Sequence, residues 1–194
     1  MKRLAITLAA FLMVTGGWAQ KWQKEYESVD ECVCGLSRVK KDGKTGYVDE
    51  QGKVVIPVIY DDGLTFNEGV VAVTKNGKWQ LMDSTGKELT PLIYDDALGF
   101  SQGVAPMSLH GKWGYIDANG KTVIPFSFQN ARSFAEGLAP VQHSDGLWGY
   151  INRKGEMAIS PQYVFADVFL NGEARVMKGD HLYYINSKNE KLHE

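Results

Sequence analysis

Cysteine is scarce in this sequence, with only Cys32 and Cys34 among 194 residues. Two thiols cannot supply a disulfide framework, so the fold must be held by packing and hydrogen bonds. An excess of basic charge is also lacking, because the formal net charge is −2. Nucleic-acid binding needs a clustered basic face, and the sequence therefore predicts no nucleic-acid partner.

Long apolar runs are confined to the amino terminus. Lys2 and Arg3 precede an apolar run over 4–14, and small residues lead to Ala19. This order of a basic start, an apolar core and a small-residue cleavage site is typical of a secretory signal peptide. We therefore predict cleavage near Ala19 and export to the periplasm, the cell surface or the medium. No membrane span is predicted in the mature protein.

What the sequence does contain is repetition. The turn glycines Gly52, Gly86, Gly120 and Gly155 recur at spacings of 34, 34 and 35 residues. A fixed period of this length is the signature of a stacked repeat architecture. The predicted domains follow from it: a signal peptide (1–19), a degenerate partial repeat (20–34), four repeats (35–68, 69–102, 103–136, 137–171) and a partial repeat (172–194).

Turn chemistry predicts the content of each unit. Asn-Gly at 76–77 and 119–120 separates alternating apolar stretches, which is the strongest short-range signal for a β-hairpin. One unit then contains strands over 103–109, 112–117 and 121–125 and a connecting segment, so we expect three strands per unit. No sustained helical period appears after the signal peptide, and the predicted fold class is all-β.

Aromatic residues and glycines keep the phase of the repeat and are predicted to be structural. These positions are Trp79, Trp113, Gly114, Trp148, Gly149, Phe66, Phe100, Phe134 and Phe169. Glycine weakens a strand unless something approaches its backbone closely. We expect an aromatic ring of a neighbouring unit to lie against Gly114 and Gly149, and the stacked units to share one continuous core.

The phrases KWGYIDANGKTVIP at 112–125 and YDDALGFSQG at 94–103 resemble the WG-repeat family, also called KWG repeats, of bacterial secreted, surface and uncharacterised proteins. The resemblance extends over about 26–191, and Trp79-Gln80, Thr45-Gly46 and Leu182-Tyr183 depart from the Trp-Gly dipeptide. It implies tandem β-repeats and no defined enzymatic activity. We expect an open, solenoid-like or superhelical array of short antiparallel meanders; the alternative is a closed, propeller-like ring of about five units.

No catalytic, metal-binding or cofactor-binding residue is predicted. The acid pairs Asp61-Asp62 and Asp95-Asp96 are replaced by Gln129-Asn130 in the next unit, which favours a turn or capping role that Asn can share. The same reasoning predicts that Asp49, Asp83, Asp117, Asn152 and Asn186 accept backbone N–H bonds in turns. The four histidines fall at four different phases, so they are not placed to converge on a metal ion.

Two remaining features are out of the ordinary for the repeat. Cys32 occupies the phenylalanine phase, so we expect it to be buried as a small apolar side chain, with Cys34 exposed. Trp22, Phe126 and Phe165 are out of phase and are the candidate ligand contacts.

We predict a non-enzymatic scaffold that binds a protein or peptide, in one mode by adding a strand to a sheet edge. The alternative is a glycan or cell-wall binding module that uses exposed aromatic rings.

Overall fold

The computed structural model describes residues 21–194. The predicted signal peptide and its cleavage site near Ala19 lie outside the described residues. Within them, one 3₁₀ turn at Trp22–Glu25 precedes a chain of β-strands. No helix in this part of the chain is both long enough and apolar enough to cross a bilayer.

The strands form five small antiparallel sheets, numbered here along the chain. Sheet 1 consists of β1 (Ser28–Val29), β2 (Leu36–Lys41), β3 (Lys44–Asp49) and β4 (Val54–Tyr60). Sheet 2 consists of β5 (Asp62–Gly63), β6 (Val70–Lys75) and β7 (Lys78–Asp83). Sheet 3 consists of β8 (Asp96–Ala97), β9 (Val104–Leu109), β10 (Lys112–Asp117) and β11 (Thr122–Phe128).

The last two sheets repeat the pattern. Sheet 4 consists of β12 (Asn130–Ala131), β13 (Leu138–Gln142), β14 (Trp148–Asn152) and β15 (Met157–Tyr163). Sheet 5 consists of β16 (Phe165–Ala166), β17 (Ala174–Lys178), β18 (His181–Ile185) and β19 (Lys191–His193). This arrangement confirms the predicted all-β fold of tandem antiparallel meanders.

The prediction of three strands per unit is wrong. The connecting segment contributes a two-residue strand, such as β12, which pairs with the first long strand of its unit. Sheet 2 has three strands for a different reason: the residues after its second turn make only the isolated bridges Trp79 to Tyr94 and Met82 to Glu88. A strand of two residues is too short to leave a period in the sequence.

The expectation of one continuous core is wrong, because a separate hydrophobic core lies at each of the four junctions between consecutive sheets. Successive side chains of a strand point to opposite faces, so Val71 and Val73 of β6 pack toward sheet 1, whereas Val70 and Ala72 pack toward sheet 3. Each inner sheet thus serves two cores, and a single unit could not bury its own aromatic rings. Within residues 21–194 no core and no side-chain hydrogen bond joins sheet 1 to sheet 5, which fits the open array.

At three of these junctions a tyrosine of one sheet packs against a phenylalanine of the segment that follows it. Their ring centroids are 5.0 to 5.1 Å apart in the pairs Tyr47–Phe66, Tyr115–Phe134 and Tyr150–Phe169. The tyrosine hydroxyl also donates to a backbone carbonyl of the next unit, as from Tyr115 Oη to Arg132 O over 2.8 Å. Burial raises the pKa of the Tyr115 hydroxyl, so it remains a neutral donor.

The expected explanation of Gly114 and Gly149 is wrong. A Cβ at Gly114 would lie 2.7 Å from Ile124 O and 2.9 Å from Phe126 N, which belong to the third long strand of the same unit. The register between β10 and β11 shifts at this point, because the outer strand bulges across the glycine. The close neighbour is therefore backbone of the glycine's own sheet, and not an aromatic ring of another unit.

Candidate functional site

A depression lies along the connecting segments that follow the two-residue strands. We call it the inner groove; it has a volume of about 470 Å³, and its accessible lining consists of Leu64, Thr65, Asn67, Gly99, Ser101 and Ser133. These residues come from three consecutive units, because equivalent positions stack at the repeat period. The intervening Phe66, Phe100 and Phe134 point into the cores and anchor the segments.

Hydrogen bonds between units fix the walls of the inner groove. Asn67 Nδ2 donates to Phe100 O over 2.8 Å, and Ser101 Oγ donates to Phe134 O over the same distance. Ser133 Oγ donates back to Gly99 O over 3.3 Å. Each bond crosses one junction, so the segments are held at a fixed separation.

Next to the groove, the turns that lead into the first long strands form a second ladder. Glu68 accepts hydrogen bonds from Gln102 N at 2.8 Å and Gly103 N at 2.7 Å. Gln102 Oε1 in turn accepts from Gly137 N at 3.1 Å. These side chains reach from one unit to the backbone of the next and further limit motion of the groove walls.

The chemistry available in the groove is that of recognition. Its accessible side chains are uncharged, and hydroxyl and amide groups donate and accept hydrogen bonds without titrating near neutral pH. Within residues 21–194, no group of three or more His, Cys, Asp or Glu side chains is arranged to hold a metal ion.

The acid pairs have structural partners. Asp61 Oδ1 accepts from Lys44 Nζ, and its Oδ2 accepts from Asn76 N, both over 2.6 Å. The hydrogen bond from Lys44 is the largest cause that lowers the pKa of Asp61. The second acid of each pair caps its own short strand: Asp62, Asp96 and the equivalent Asn130 each accept from the N–H of the following residue. The predicted capping role is confirmed for these three.

The predicted turn role of the second acidic series is confirmed as well. In all five units the side-chain Oδ1 accepts from the backbone N–H two and four residues later. The distances lie between 2.8 and 3.1 Å for Asp49, Asp83, Asp117, Asn152 and Asn186. The shared geometry explains why Asn replaces Asp without loss of the turn.

Trp22, a candidate ligand contact, lies over the turn of sheet 1. A Cβ on Gly52 would overlap Trp22 Cγ, so the indole is in close contact with that turn. At the equivalent glycines Gly86 and Gly120 the contact comes from the preceding unit, through Val55 O and Leu89 O. Trp22 therefore stands where a preceding unit would pack, and its ligand role stays a prediction.

The other two candidates lie at different junctions. The Phe126 ring is stacked on Tyr94, with centroids 5.9 Å apart, at the margin of the core between sheets 2 and 3. Phe165 lies beneath two guanidinium groups, with Arg132 Cζ at 5.2 Å and Arg175 Cζ at 5.6 Å from its centroid. The structure does not bring Trp22, Phe126 and Phe165 together into one site.

Arg132 is a residue that sequence reasoning missed. Its guanidinium carbon also lies 5.3 Å from the Trp148 ring centre, and its Nη1 lies 3.6 Å from Asp167 Oδ1. It therefore ties sheet 4 to sheet 5 beside the end of the inner groove. The sequence does contain a signal for it: Arg132 breaks the repeat pattern, because Leu64 and Leu98 occupy the equivalent positions in the two preceding units.

The repeat tryptophans border the cores. Trp148 is buried in the core between sheets 4 and 5, whereas Trp79 and Trp113 are half-buried against theirs. Cys32 is exposed, so the expectation that it is buried is wrong. The equivalent Phe66 is buried against Tyr47 of the preceding sheet, and none of the residues 21–194 offers such a ring to Cys32.

Comparison with known proteins agrees with the repeat pattern. A family model described as WG containing repeat matches residues 46–79, 81–113, 113–147 and 148–180. A comparison with curated proteins gives no match.

Solved structures share the fold at low sequence identity. Hsv2 from K. marxianus is 12% identical over 84% of this chain and 64% of its own, with a TM-score of 0.54. The computationally designed Ika8 protein is 13% identical over 85% of this chain and 60% of its own (TM-score 0.52). A eukaryotic initiation factor is 8% identical over 86% of this chain and 56% of its own (TM-score 0.52). The chain spans about three fifths of the length of these proteins, and the likeness concerns the fold alone.

Proposed function

The chain belongs to the WG-repeat family, and we propose that it is a non-catalytic scaffold. Its inner groove is built from stacked copies of one connecting segment, and the proposed ligand is an extended protein or peptide segment that binds in that groove. The observation that carries the proposal is the lining: rigidly cross-linked connecting segments with small, uncharged side chains at Thr65, Gly99 and Ser133. Small residues permit close approach of a backbone, and hydroxyl groups offer it hydrogen bonds.

Addition of a strand at a sheet edge has less support. The outermost long strands β4, β11 and β15 contain Pro57, Pro125 and Pro161, respectively, whereas β19 at the edge of sheet 5 has no proline but is only three residues long. Proline has no N–H to donate, and it interrupts the ladder that an added strand would need. The groove is therefore the better surface for a polypeptide ligand.

The glycan alternative depends on aromatic rings with a free face. Phe126 is stacked on Tyr94, and Phe165 is covered by the guanidinium groups of Arg132 and Arg175. These contacts use part of the ring surface of Phe126 and Phe165 that a sugar could stack on, and we therefore place the glycan module second.

Panning of a phage-displayed random peptide library on the immobilised full chain tests the proposal. The blocking variant is Gly99→Arg: a Cβ at Gly99 meets no atom within 4 Å, so the new side chain fills the groove without disturbing the core. The matched control is Val123→Arg, on the outer strand, where the side chain is 39% exposed.

We expect enriched peptides to bind the wild type and Val123→Arg equally and to lose at least about tenfold in affinity on Gly99→Arg, equivalent to about 1.4 kcal/mol. Equal binding to Gly99→Arg, or a library that yields no ligand, would contradict the proposal. Retention of wall polysaccharide that is lost on Gly99→Arg would favour the glycan module instead.

Export is part of the same proposal and rests on the signal-peptide pattern of residues 1–19. Amino-terminal sequencing of the protein recovered from a bacterial host tests it. A first residue at Gln20 is the expected result, and an intact Met1 in a cytoplasmic fraction would contradict it.

A further inference from the structure

Sheet 5 carries an open pocket whose counterpart in sheet 1 is filled. The terminal pocket has a volume of about 300 Å³ and is lined by Asp167, Val168, Leu170, Glu173, Arg175 and Tyr184. Each of these residues is 137 positions after a residue of sheet 1 or its leading segment: Asp30, Glu31, Val33, Leu36, Arg38 and Tyr47. Those six residues line a cavity with Thr65 and Phe66 of the next unit, and only about 10 Å³ remains free there.

The filled pocket shows how a segment is recognised. Phe66 is 3% exposed, and its ring meets the Tyr47 ring edge to face at a centroid distance of 5.1 Å. Tyr47 Oη donates to Leu64 O over 2.6 Å, and Arg38 Nη1 donates to Gly63 O over 2.5 Å. Recognition thus combines one buried aromatic ring with two hydrogen bonds to successive backbone carbonyls.

The terminal pocket presents the same donors. Arg175 Nη2 donates to Asp167 Oδ2 over 3.1 Å, as Arg38 Nε donates to Asp30 Oδ2 over 2.7 Å. The Tyr184 ring is stacked on His193, with centroids 4.6 Å apart. Both donor side chains are therefore held in place, and no residue among 21–194 fills the pocket between them.

One wall differs in chemistry from its counterpart. Glu173 replaces Leu36, and Glu173 Oε2 lies 3.0 Å from His193 Nε2. A charged and hydrogen-bonded wall is stable in contact with water, whereas an apolar wall would favour collapse or burial. Leu170 adds an apolar side chain that is 71% exposed, so the pocket offers both a polar and an apolar side.

We propose that the terminal pocket binds an aromatic residue on an extended segment of another polypeptide, in the manner in which sheet 1 holds Gly63-Leu64-Thr65-Phe66. The ligand class is a segment with a small residue three positions before a phenylalanine. The inference rests on the proposed function only in that both ligands are polypeptides; the site, the ligand and the variants are different.

The test uses the ¹⁵N-labelled full chain and a capped synthetic peptide with the sequence of residues 59–67, IYDDGLTFN. At the other junctions this segment's counterparts are tethered and present at high effective concentration, so a free peptide competes poorly there. We expect saturable amide shifts at Arg175 and Tyr184, with a dissociation constant on the order of 0.1–1 mM because the peptide is ordered on binding.

Three controls locate the binding. A peptide in which Phe66 is replaced by alanine should bind at least about tenfold more weakly, because the ring supplies most of the buried area. The protein variants Arg175→Met and Tyr184→Phe should each weaken binding about three- to tenfold. Gly99→Arg, which fills the inner groove, should leave this binding unchanged.

The proposal is overturned if no saturable shifts appear at millimolar peptide, or if the Phe66-lacking peptide binds equally well. Shifts confined to the four junctions between sheets would mean that the peptide displaces internal segments, and they would also overturn it. If the wild type sediments in a concentration-dependent manner and Arg175→Met abolishes that dependence, the partner is a second copy of this chain and not another polypeptide. If Gly99→Arg loses the panned peptides and the protein shows no response to IYDDGLTFN, the inner-groove proposal is supported and the terminal-pocket proposal is overturned.

Discussion

Gln80 Nε2 lies 3.3 Å from Tyr60 Oη and joins sheet 2 to sheet 1 in the interior of the array. The equivalent positions in three other sheets are Gly46, Gly114 and Gly149. Gln80 lies in the one sheet of residues 21–194 that lacks a continuous fourth strand, and there the Thr90 hydroxyl accepts the hydrogen bond of Leu81 N. The Trp-Gly dipeptide is thus linked to the bulged outer strand.

Replacement of Gly114 by alanine should destabilise the fold. The new Cβ would be 2.7 Å from Ile124 O, and backbone atoms cannot move aside cheaply. We expect a loss of about 1–3 kcal/mol, or a Tm lower by roughly 2–4 °C for each kcal/mol. The control is Gly99→Ala, whose Cβ meets nothing within 4 Å and should be close to neutral. Equal thermal shifts for the two variants would disprove the steric explanation.

Tyr115→Phe should cost about 1–2 kcal/mol in urea unfolding. The substitution removes the hydroxyl that donates to Arg132 O and leaves that carbonyl without its partner at the junction. Tyr184→Phe is the matched control, because Tyr184 occupies the same position in sheet 5, where no following unit is described. Similar losses in both variants would show that the junction bond has no special role.

Acid should weaken the links between the first three sheets. The pKa values of Asp61 and Asp95 are lowered from the ordinary value of 3.8, chiefly by hydrogen bonds from Lys44 and Lys78. A lowered pKa in the folded state gives stability that is present above 3.8 and is lost as the pH falls through the lowered value.

The acid effect is measured as Tm between about pH 7 and pH 2. The double variant Asp61→Asn, Asp95→Asn should have a slightly lower Tm at neutral pH and a shallower decline in acid. A decline as steep as that of the wild type would assign acid sensitivity to other carboxylates.

Both thiols should react rapidly in the native protein. Cys32 and Cys34 are exposed, so a disulfide reagent such as DTNB should titrate two thiols in the reduced chain without denaturant. The variant Cys32→Ser should leave one reactive thiol and an unchanged Tm. Labelling that requires denaturant would contradict the exposed position of Cys32.

Several features of the candidate site lay within reach of the sequence. The phase placed Phe66, Phe100 and Phe134 at equivalent positions, and the segments that they anchor line the groove. Arg132 was missed because attention to in-phase residues hides a residue that breaks the phase. The terminal pocket could not be predicted, because its proposed ligand is inferred from the residues that fill the equivalent pocket in sheet 1, and these are known only from the structure.

The period, the turns, the all-β class and the aromatic anchors could be predicted from the amino-acid sequence, because these depend on local chemistry that every unit repeats. The tertiary structure alone decided the two-residue strands, the backbone that passes over Gly114 and Gly149, and the exposure of Cys32. These features depend on what lies across a sheet or a junction. Whether a side chain is buried depends on its neighbours in space. Two residues at the same position of the repeat can therefore differ in burial, because their spatial neighbours differ.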